Sequence, residues 1–336
     1  MSKLRELVSA TVDGHQNSAE DVQSAFAEML SGEASPTLMA SFLTALRTRG
    51  ESVDEIVGAV RAMRAAMARV SAPAGSVDVV GTGGDGAHTY NISTAVSFVV
   101  AGAGVPVAKH GNRAASSKSG AADVLAELGV NLDADAETVQ RAIVDANVGF
   151  MMATKYHSAM RHVGPVRKEL GIRTLFNILG PLSNPSGATR QLIGVFSPLY
   201  LERMAEALGE LGTDRAWLVH GSGLDEMSLH GPTDVVELDR GSIRRFSVSA
   251  GDLGLAEAPL EAIRGGEPAV NAAALRQVLA GEPSAYRDMV LLNAAGALVV
   301  AEKAADLHEG VALARSSIET GAAQSALDAL VRITNG

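Results

Sequence analysis

The stretch that decides the fold runs from Asp78 to Gly86 and reads DVVGTGGDG. It follows directly on a short apolar run, Val77–Val80, and such a run bounded by glycines predicts a buried strand. Glycines let the backbone approach an anion closely, and successive N–H groups pointing inward form an anion-binding nest. The stretch therefore predicts a strand followed either by an anion-binding loop or by a plain glycine turn, and by itself does not decide between them.

The glycine spacing also matches the G-x-G-x-x-G pattern, at Gly81, Gly83 and Gly86. In a dinucleotide-binding unit the helix begins within these glycines, and an acidic residue follows about 20 residues later to hold the ribose. Here residues 88–92 intervene before the helix, and residues 101–109 contain no acid. A dinucleotide site is therefore excluded.

Further along the chain, short apolar runs alternate with helical segments. The runs Val105–Ala108, Gln191–Phe196 and Ala216–His220 alternate with helices near 93–103 and 119–128 and from about Pro198. This alternation is typical of βαβ units and predicts an α/β fold with a central, mostly parallel sheet.

Two regions do not follow this alternation. Residues 1–70 have helical spacing throughout, with Ser18, Ser35 and Ser52 as expected helix caps. Residues 156–185 are polar, basic and rich in Gly and Pro, and they interrupt the α/β pattern as a return of the chain to the helical unit would. The last 65 residues are predicted to be Ala-rich helices.

Composition excludes several classes of function. The chain has 336 residues, 47% of them hydrophobic, and a formal net charge of −10, which argues against nonspecific nucleic-acid binding. It has no cysteine, so disulfides, thiolate nucleophiles and Cys-type zinc sites are excluded. No segment has the length of apolar residues that a membrane span needs, and the N-terminal residues lack the apolar core of a signal peptide. We expect a cytoplasmic protein without a membrane or nucleic-acid partner.

A second polar segment follows the run Val105–Ala108. It reads KHGNR from Lys109 to Arg113 and continues with SSKSG from Ser116 to Gly120. Ligands of open α/β sheets bind where strands end, and a basic, hydroxyl-rich loop on an acidic protein favours a small phosphorylated ligand over a solvated loop. Ser93 and Thr94 are expected at a helix N-cap, where their hydroxyls could also contact a phosphate.

Taken together, these segments resemble the anthranilate phosphoribosyltransferase family. The resemblance rests on five pieces in order that span most of residues 78–232: GTGGD at 81–85, NIST at 91–94, KHGNR at 109–113, GIRTLFNILGPLSNP at 171–185, and GLDE at 223–226. It implies a nucleoside-phosphorylase-like fold of two domains with the active site in the cleft between them. The small helical domain would comprise residues 1–72 with a contribution from about 158–188, and the larger α/β domain residues 73–157 and 189–336. It also implies a homodimer formed through the helical domain.

The same resemblance implies a reaction and a set of site residues. Phosphoribosyl pyrophosphate (PRPP) would donate its phosphoribosyl group to the amine of anthranilate, with release of pyrophosphate, in tryptophan biosynthesis. By resemblance, PRPP would bind Gly81, Gly83, Gly84, Asp85, Asn91, Ser93, Thr94 and Lys109; anthranilate would bind His110, Asn112, His157, Arg167 and Gly180; and Mg²⁺ would bind Ser93, Asp225 and Glu226. No acid or base is assigned, because the lone pair of an aromatic amine is available at neutral pH and positioning dominates.

One departure from the family pattern and two alternatives remain. Residues 153–158 read ATKYHS, without the prolines that the family commonly has there, and Lys155 adds a cation near the expected anthranilate path. A pyrimidine nucleoside phosphorylase of the same fold is one alternative, although its glycine loop carries Lys-His, which here occurs at Lys109. A noncatalytic nucleic-acid-binding relative is the other, although it would be basic and lack the acid pair Asp225–Glu226.

Overall fold

The computed structural model describes residues 2–114 and 118–336. At its centre lies a seven-stranded sheet in the order β3-β2-β1-β4-β5-β6-β7. Its strands are β1 (Val77–Gly81), β2 (Val107–Gly111), β3 (Val148–Met152), β4 (Arg190–Gly194), β5 (Arg215–Gly221), β6 (Thr233–Asp239) and β7 (Ser242–Val248). The strands β1 to β5 pair in parallel, and β6 and β7 add an antiparallel edge. The predicted mostly parallel α/β sheet is confirmed.

Helices surround the sheet and form a separate bundle at the N-terminus. Their bounds are α1 (Lys3–Val12), α2 (Ala19–Ser31), α3 (Pro36–Arg49), α4 (Val53–Ala66), α5 (Ile92–Gly102), α6 (Ala121–Glu127), α7 (Ala136–Asp145), α8 (Ala153–Tyr156), α9 (Gly164–Leu170), α10 (Phe176–Leu182), α11 (Leu201–Glu210), α12 (Pro268–Leu279), α13 (Ala285–Val300), α14 (Leu307–Glu319) and α15 (Ala322–Asn335). Within the described ranges, no helix combines the length and apolar character needed to cross a membrane.

The expected caps of the first helices are present. Ser18, Ser35 and Ser52 each accept a hydrogen bond from the backbone N–H three residues later. Ser52 and Glu55 form a full capping box, in which each side chain bonds the backbone of the other residue. These local bonds explain why the sequence alone located the starts of α2, α3 and α4.

Two large hydrophobic clusters cover the sheet. One contains α5 and α12 to α15 on one side. The other joins the helices of residues 1–70 to Val163, Val166 and the buried side of α10, and continues onto β4, β5, β6 and α11. Because residues 163–182 share this second cluster with the N-terminal helices, we propose the two domains with the limits expected from the sequence.

Three local expectations are corrected. Helix α5 begins at Ile92 with Asn91 at the N-cap position, so Ser93 and Thr94 lie in its first turn rather than at the cap. The strand β2 continues through Lys109 to Gly111, because these residues pair in register with β3. Neither β3 nor the β6–β7 hairpin was expected. In the hairpin, charged residues such as Arg244 mask the alternation of its strands.

Candidate active site

The glycine loop after β1 meets the acidic pair of the loop between β5 and β6. Gly83 and Gly84 adopt φ angles of 70° and 81°, which favour glycine. The Gly83 N–H donates to Asp225 Oδ2 at 2.6 Å, and the Asp225 N–H donates to Asp85 Oδ2 at 3.4 Å. Two segments 142 residues apart in sequence thus form one polar surface at the carboxyl ends of β1 and β5.

This surface concentrates negative charge. Burial, then the neighbouring Asp85 and Glu226, raise the pKa of Asp225 well above its ordinary value. Burial also raises the pKa of Glu226 to about 8, although Lys109 and the Ser93 backbone act in the opposite direction. A raised carboxyl pKa means that the ionised form lacks sufficient positive partners. A cation at this position would stabilise both carboxylates.

The oxygen donors at this place suit a metal ion that is bound partly by protein side chains and partly by a substrate. In the part of the chain that the structure describes, no three His, Asp or Glu side chains are grouped to hold a metal by themselves. Mg²⁺ commonly binds through one or two carboxylates plus substrate phosphates and water. The acid pair with Ser93 nearby fits that mode of binding.

Lys109 lies beneath this surface and is only 3% exposed. Its Nζ donates to the Val79 carbonyl at 2.6 Å and to Ser93 Oγ at 3.1 Å. Burial lowers the pKa of Lys109, and the charges of Asp78 and Glu226 oppose that shift. Since an ammonium has three donors, these two bonds leave one for a ligand.

Asn91 links the glycine-loop side to the second polar segment. Its Oδ1 accepts from Asn271 Nδ2 at 2.8 Å, and its Nδ2 donates to the Ser119 carbonyl at 3.2 Å. Close by, Thr94 Oγ1 is buried with no hydrogen-bond partner among the described residues. Asn112 is exposed, and Ser116 and Ser117 lie outside the described residues.

His110 follows Lys109 on β2, so its side chain points to the other face of the sheet, where its ring centroid lies 5.0 Å from that of His157. His110 Nδ1 lies 3.2 Å from the Gly180 carbonyl, which fixes the ring. Burial, then the neighbouring His157, lower the pKa of His110 to about 3, and burial lowers that of His157. Both rings are therefore neutral at pH 7. Over residues 2–114 and 118–336, His110 Nε2 and both nitrogens of His157 have no hydrogen-bond partner.

Arg167 presents a partly buried guanidinium over the ring of Phe176, at 5.4 Å from its centroid. Burial lowers the pKa of Arg167 without removing its charge at pH 7. No carboxylate of the described chain lies within ion-pair distance of it, whereas the adjacent Lys168 is exposed. Lys155 is exposed and donates to the Ala134 carbonyl at 2.9 Å.

Two residues at the site were missed by the sequence analysis. Arg173 Nη2 donates to the Gly84 carbonyl, and its guanidinium lies 4.5 Å from the centroid of the Phe196 ring. Asp78 is fully buried, accepts from Asn184 Nδ2 at 2.7 Å and from the His110 N–H at 3.2 Å, and burial raises its pKa to about 6. The available signals were the place of Arg173 within the matched segment 171–185 and that of Asp78 in the strand directly before the matched glycines at 81–85.

Comparisons with known proteins agree on one family. Residues 5–67 match the model of the helical bundle domain of a glycosyl transferase family, and residues 74–324 match the model of its a/b domain. The chain is 54% identical over 337 residues to the anthranilate phosphoribosyltransferase of Nitrobacter hamburgensis, covering 100% of both chains. It is 54% identical over 335 residues to that of Rhizobium meliloti, covering 100% of this chain and 99% of the other.

Solved structures give the same result. The crystal structure of anthranilate phosphoribosyltransferase from Thermus thermophilus superposes with a TM-score of 0.94 at 44% identity, with 100% of both chains covered. The Saccharomyces cerevisiae enzyme in complex with PRPP and Mg superposes with a TM-score of 0.90 at 30% identity, over 99% of this chain and 98% of the other.

Proposed function

The chain belongs to the anthranilate phosphoribosyltransferase family, and from this premise we propose how the residues of its cleft divide the reaction. The activity is that of a Mg²⁺-dependent pentosyltransferase in tryptophan biosynthesis: it transfers the phosphoribosyl group of PRPP to anthranilate and releases pyrophosphate. The comparisons favour this activity over a pyrimidine nucleoside phosphorylase or a noncatalytic nucleic-acid-binding relative.

We propose that the glycine loop and the first turn of α5 bind PRPP. The residues are Gly81, Gly83, Gly84, Asp85, Asn91, Ser93, Thr94 and Lys109. The observation that carries this proposal is the bond from the Gly83 N–H to Asp225 Oδ2, which brings the loop and the acid pair to one place. The unpartnered hydroxyl of Thr94 and the third donor of Lys109 add support, because buried polar atoms ordinarily find a partner.

Ser93, Asp225 and Glu226 would hold Mg²⁺ against the diphosphate. When bound, the ion supplies positive charge to a leaving group that carries several negative charges. The raised pKa values of both carboxyls support this assignment, since they reflect unmet demand for a positive partner. Lys109, buried below, places a fixed positive charge near the same carboxylates.

We propose that anthranilate binds on the other side, against His110, Asn112, His157, Arg167 and Gly180. Arg167 supports the assignment, because a partly buried guanidinium without a carboxylate partner in the described chain suits the carboxylate of a ligand. The neutral rings of His110 and His157 can offer hydrogen bonds without repelling Arg167. The bond from ribose C1 to the pyrophosphate oxygen breaks as the bond from the amine nitrogen to C1 forms, and the nitrogen then loses a proton. We assign no base to that loss.

A fluorescence assay tests the proposal. Purified protein is mixed with anthranilate, PRPP and Mg²⁺, and the loss of anthranilate fluorescence is followed with and without a chelator. We expect consumption that requires all three components. Absence of consumption with PRPP still bound in calorimetry would instead show that the acceptor differs, and would direct attention to residues 153–158.

A homodimer and a cytoplasmic location remain proposals. The helical bundle carries an open groove of about 570 Å³ between α1 and α3, and Val12 at its edge is 69% exposed. We propose that a second copy of the chain covers this face. Sedimentation of the wild type and of Val12→Glu tests the dimer, since a charge in an apolar interface should shift the protein to monomer. Cell fractionation tests the location.

A further inference from the structure

The loop that carries Asp225 and Glu226 is fixed on two sides. On the sheet side it presses against the glycine at the end of β4: a Cβ on Gly194 would overlap the Asp225 carbonyl. The Asp225 carboxylate also accepts from the Gly83 N–H at 2.6 Å. These contacts leave no free space around Asp225. The position of the loop therefore sets where both carboxylates lie relative to the glycine loop.

On the other side the loop is held by a single amide of α13. The Met227 N–H donates to Asn293 Oδ1 at 2.9 Å, and Asn293 Nδ2 donates to the Met227 carbonyl at 2.9 Å. The same Nδ2 donates to the Met289 carbonyl at 2.9 Å, one turn earlier in the helix. The side chain of Asn293 thus bonds both backbone groups of the residue that follows Glu226.

The apolar surroundings of Asn293 leave the Met227 peptide as the main partner of its side chain outside the helix. Asn293 is 0% exposed and is the only polar residue between Met289 and Val300. A buried amide in an apolar helix is tolerated only when its donors and acceptor are bonded. Gly296 lies one turn further along, and a Cβ there would come within 2.9 Å of the Met227 sulfur. Helix α13 is therefore shaped to receive Met227 at this place.

We infer that Asn293 is a positioning residue, which holds the Met227 peptide and through it sets Asp225 and Glu226 against the glycine loop. This inference rests on the proposed role of the acid pair in binding Mg²⁺ with PRPP. Residues that orient metal ligands typically change metal affinity by roughly 10- to 100-fold when mutated.

The test compares Asn293→Leu with Asn293→Asp. Leucine has a similar size but leaves both Met227 backbone groups without partners, whereas aspartate keeps an acceptor for the N–H. We expect Asn293→Leu to raise the Mg²⁺ concentration that half-saturates PRPP binding in calorimetry by about tenfold, and Asn293→Asp to raise it less. The KM for anthranilate should change by less than about twofold, since Asn293 does not contact that side. Hydrogen exchange of peptides containing Met227 should be faster in Asn293→Leu.

Asn17→Leu is the matched control for general destabilisation. Asn17 is also a buried amide, bonded to Thr11 at 2.9 Å and to Glu55 at 2.7 Å, but it lies in the helical bundle. It should lower the Tm without changing the Mg²⁺ requirement. An equal rise in the Mg²⁺ requirement of Asn17→Leu and Asn293→Leu overturns the inference. So does a folded Asn293→Leu whose Mg²⁺ requirement and hydrogen exchange at Met227 are both unchanged. If Asn293→Leu does not fold, an unchanged Mg²⁺ requirement in Asn293→Asp overturns it.

Asp225→Asn separates this inference from the proposed function. An unchanged Mg²⁺ requirement in Asp225→Asn would overturn the metal assignment, whatever Asn293 does. Slow exchange at Met227 in Asn293→Leu would instead overturn the positioning role alone. The two failures are thus distinguishable in the same set of proteins.

Discussion

The two sides of the proposed site satisfy their polar groups to different extents. On the proposed PRPP side, defined here by Gly83, Asp225, Lys109 and Asn91, most polar atoms are bonded to other parts of the chain. On the proposed anthranilate side, defined here by His110, His157 and Arg167, ring nitrogens and a guanidinium are buried or half-buried with few protein partners. The proposed PRPP side is therefore largely fixed by bonds within the chain, with Thr94 Oγ1 and the third donor of Lys109 left for a ligand, whereas the proposed anthranilate side has fewer bonds within the chain.

The largest effect is expected from removing the charges of the acid pair. Asp225→Asn combined with Glu226→Gln should lower kcat/KM by about 100-fold or more, because metal stabilisation of a leaving group is worth several kcal/mol. Steady-state kinetics across a Mg²⁺ titration measure it. Glu257→Gln, at an exposed position, is the control. If kcat/KM of the double variant depends on Mg²⁺ as that of the wild type does, the acid pair does not bind the metal, and the metal does not distinguish the two sides.

A smaller and one-sided effect is expected from Arg167→Leu. Losing a charge-assisted contact costs about 1.5–3 kcal/mol, so the KM for anthranilate should rise by roughly 10- to 150-fold while the KM for PRPP stays near its wild-type value. The exposed neighbour gives the matched variant Lys168→Leu, which should leave both constants unchanged. A rise of similar size in the KM for PRPP would show that Arg167 affects the binding of both substrates.

Acidification should weaken the fold through the anthranilate side. The pKa of His110 is about 3 in the folded chain against an ordinary 6.5, so below pH 6.5 the unfolded chain binds a proton that the folded chain does not. Stability is then lost as the pH falls, by about 1.4 kcal/mol per unit, or roughly 2 kcal/mol from pH 6.5 to 5. The lowered pKa of His157 acts in the same direction.

Urea unfolding of wild type and His110→Gln at pH 7, 6 and 5 checks this prediction. The variant should show a shallower loss of stability with falling pH, and His308→Gln, at an exposed position, is the control. If the free energies of unfolding of wild type and His110→Gln fall in parallel with pH, His110 is protonated in the folded state, and this side carries a positive charge.

The smallest effect is expected from Arg173→Ala, which links the two sides by reaching from the 171–175 segment to Gly84. The stacking of an exposed arginine on an aromatic ring is worth about 0.5–1 kcal/mol and a hydrogen bond a similar amount, so together they are worth about 1–2 kcal/mol, and the KM for PRPP should rise roughly five- to thirtyfold. Arg332→Ala, at an exposed position on α15, is the control. An unchanged KM for PRPP in Arg173→Ala would show that Arg173 does not help to hold the glycine loop for PRPP.

Much of the fold could be predicted because its signals are local. Ser52 caps a helix through a residue three positions away, and the run Val77–Val80 is bounded by its own glycines. The strand β3 and the β6–β7 hairpin were missed: β3 is a short apolar run of five residues, and charged residues such as Arg244 mask the alternation of the hairpin. The extent of β2 was also underestimated, since a lysine and a histidine within a buried strand are acceptable only with partners such as the Val79 carbonyl.

The site residues themselves were named from the sequence by resemblance, and their roles stay predictions. What no local pattern could give is which of them meet. Gly83 and Asp225 are 142 residues apart, and Asn293 lies 66 residues from Met227. Arg173 was marked only by its place in the matched segment 171–185, and nothing in the sequence marked Asn293 as a neighbour of the site.

The sequence by itself determined most of the elements, the net charge and the family, because periodicity, caps, composition and motif order are properties of the chain alone. Only the tertiary structure decided which groups are charged and which are bonded. The pKa of Glu226 rises and that of His110 falls for the same reason, burial among particular neighbours, and burial does not exist until the strands and loops have come together.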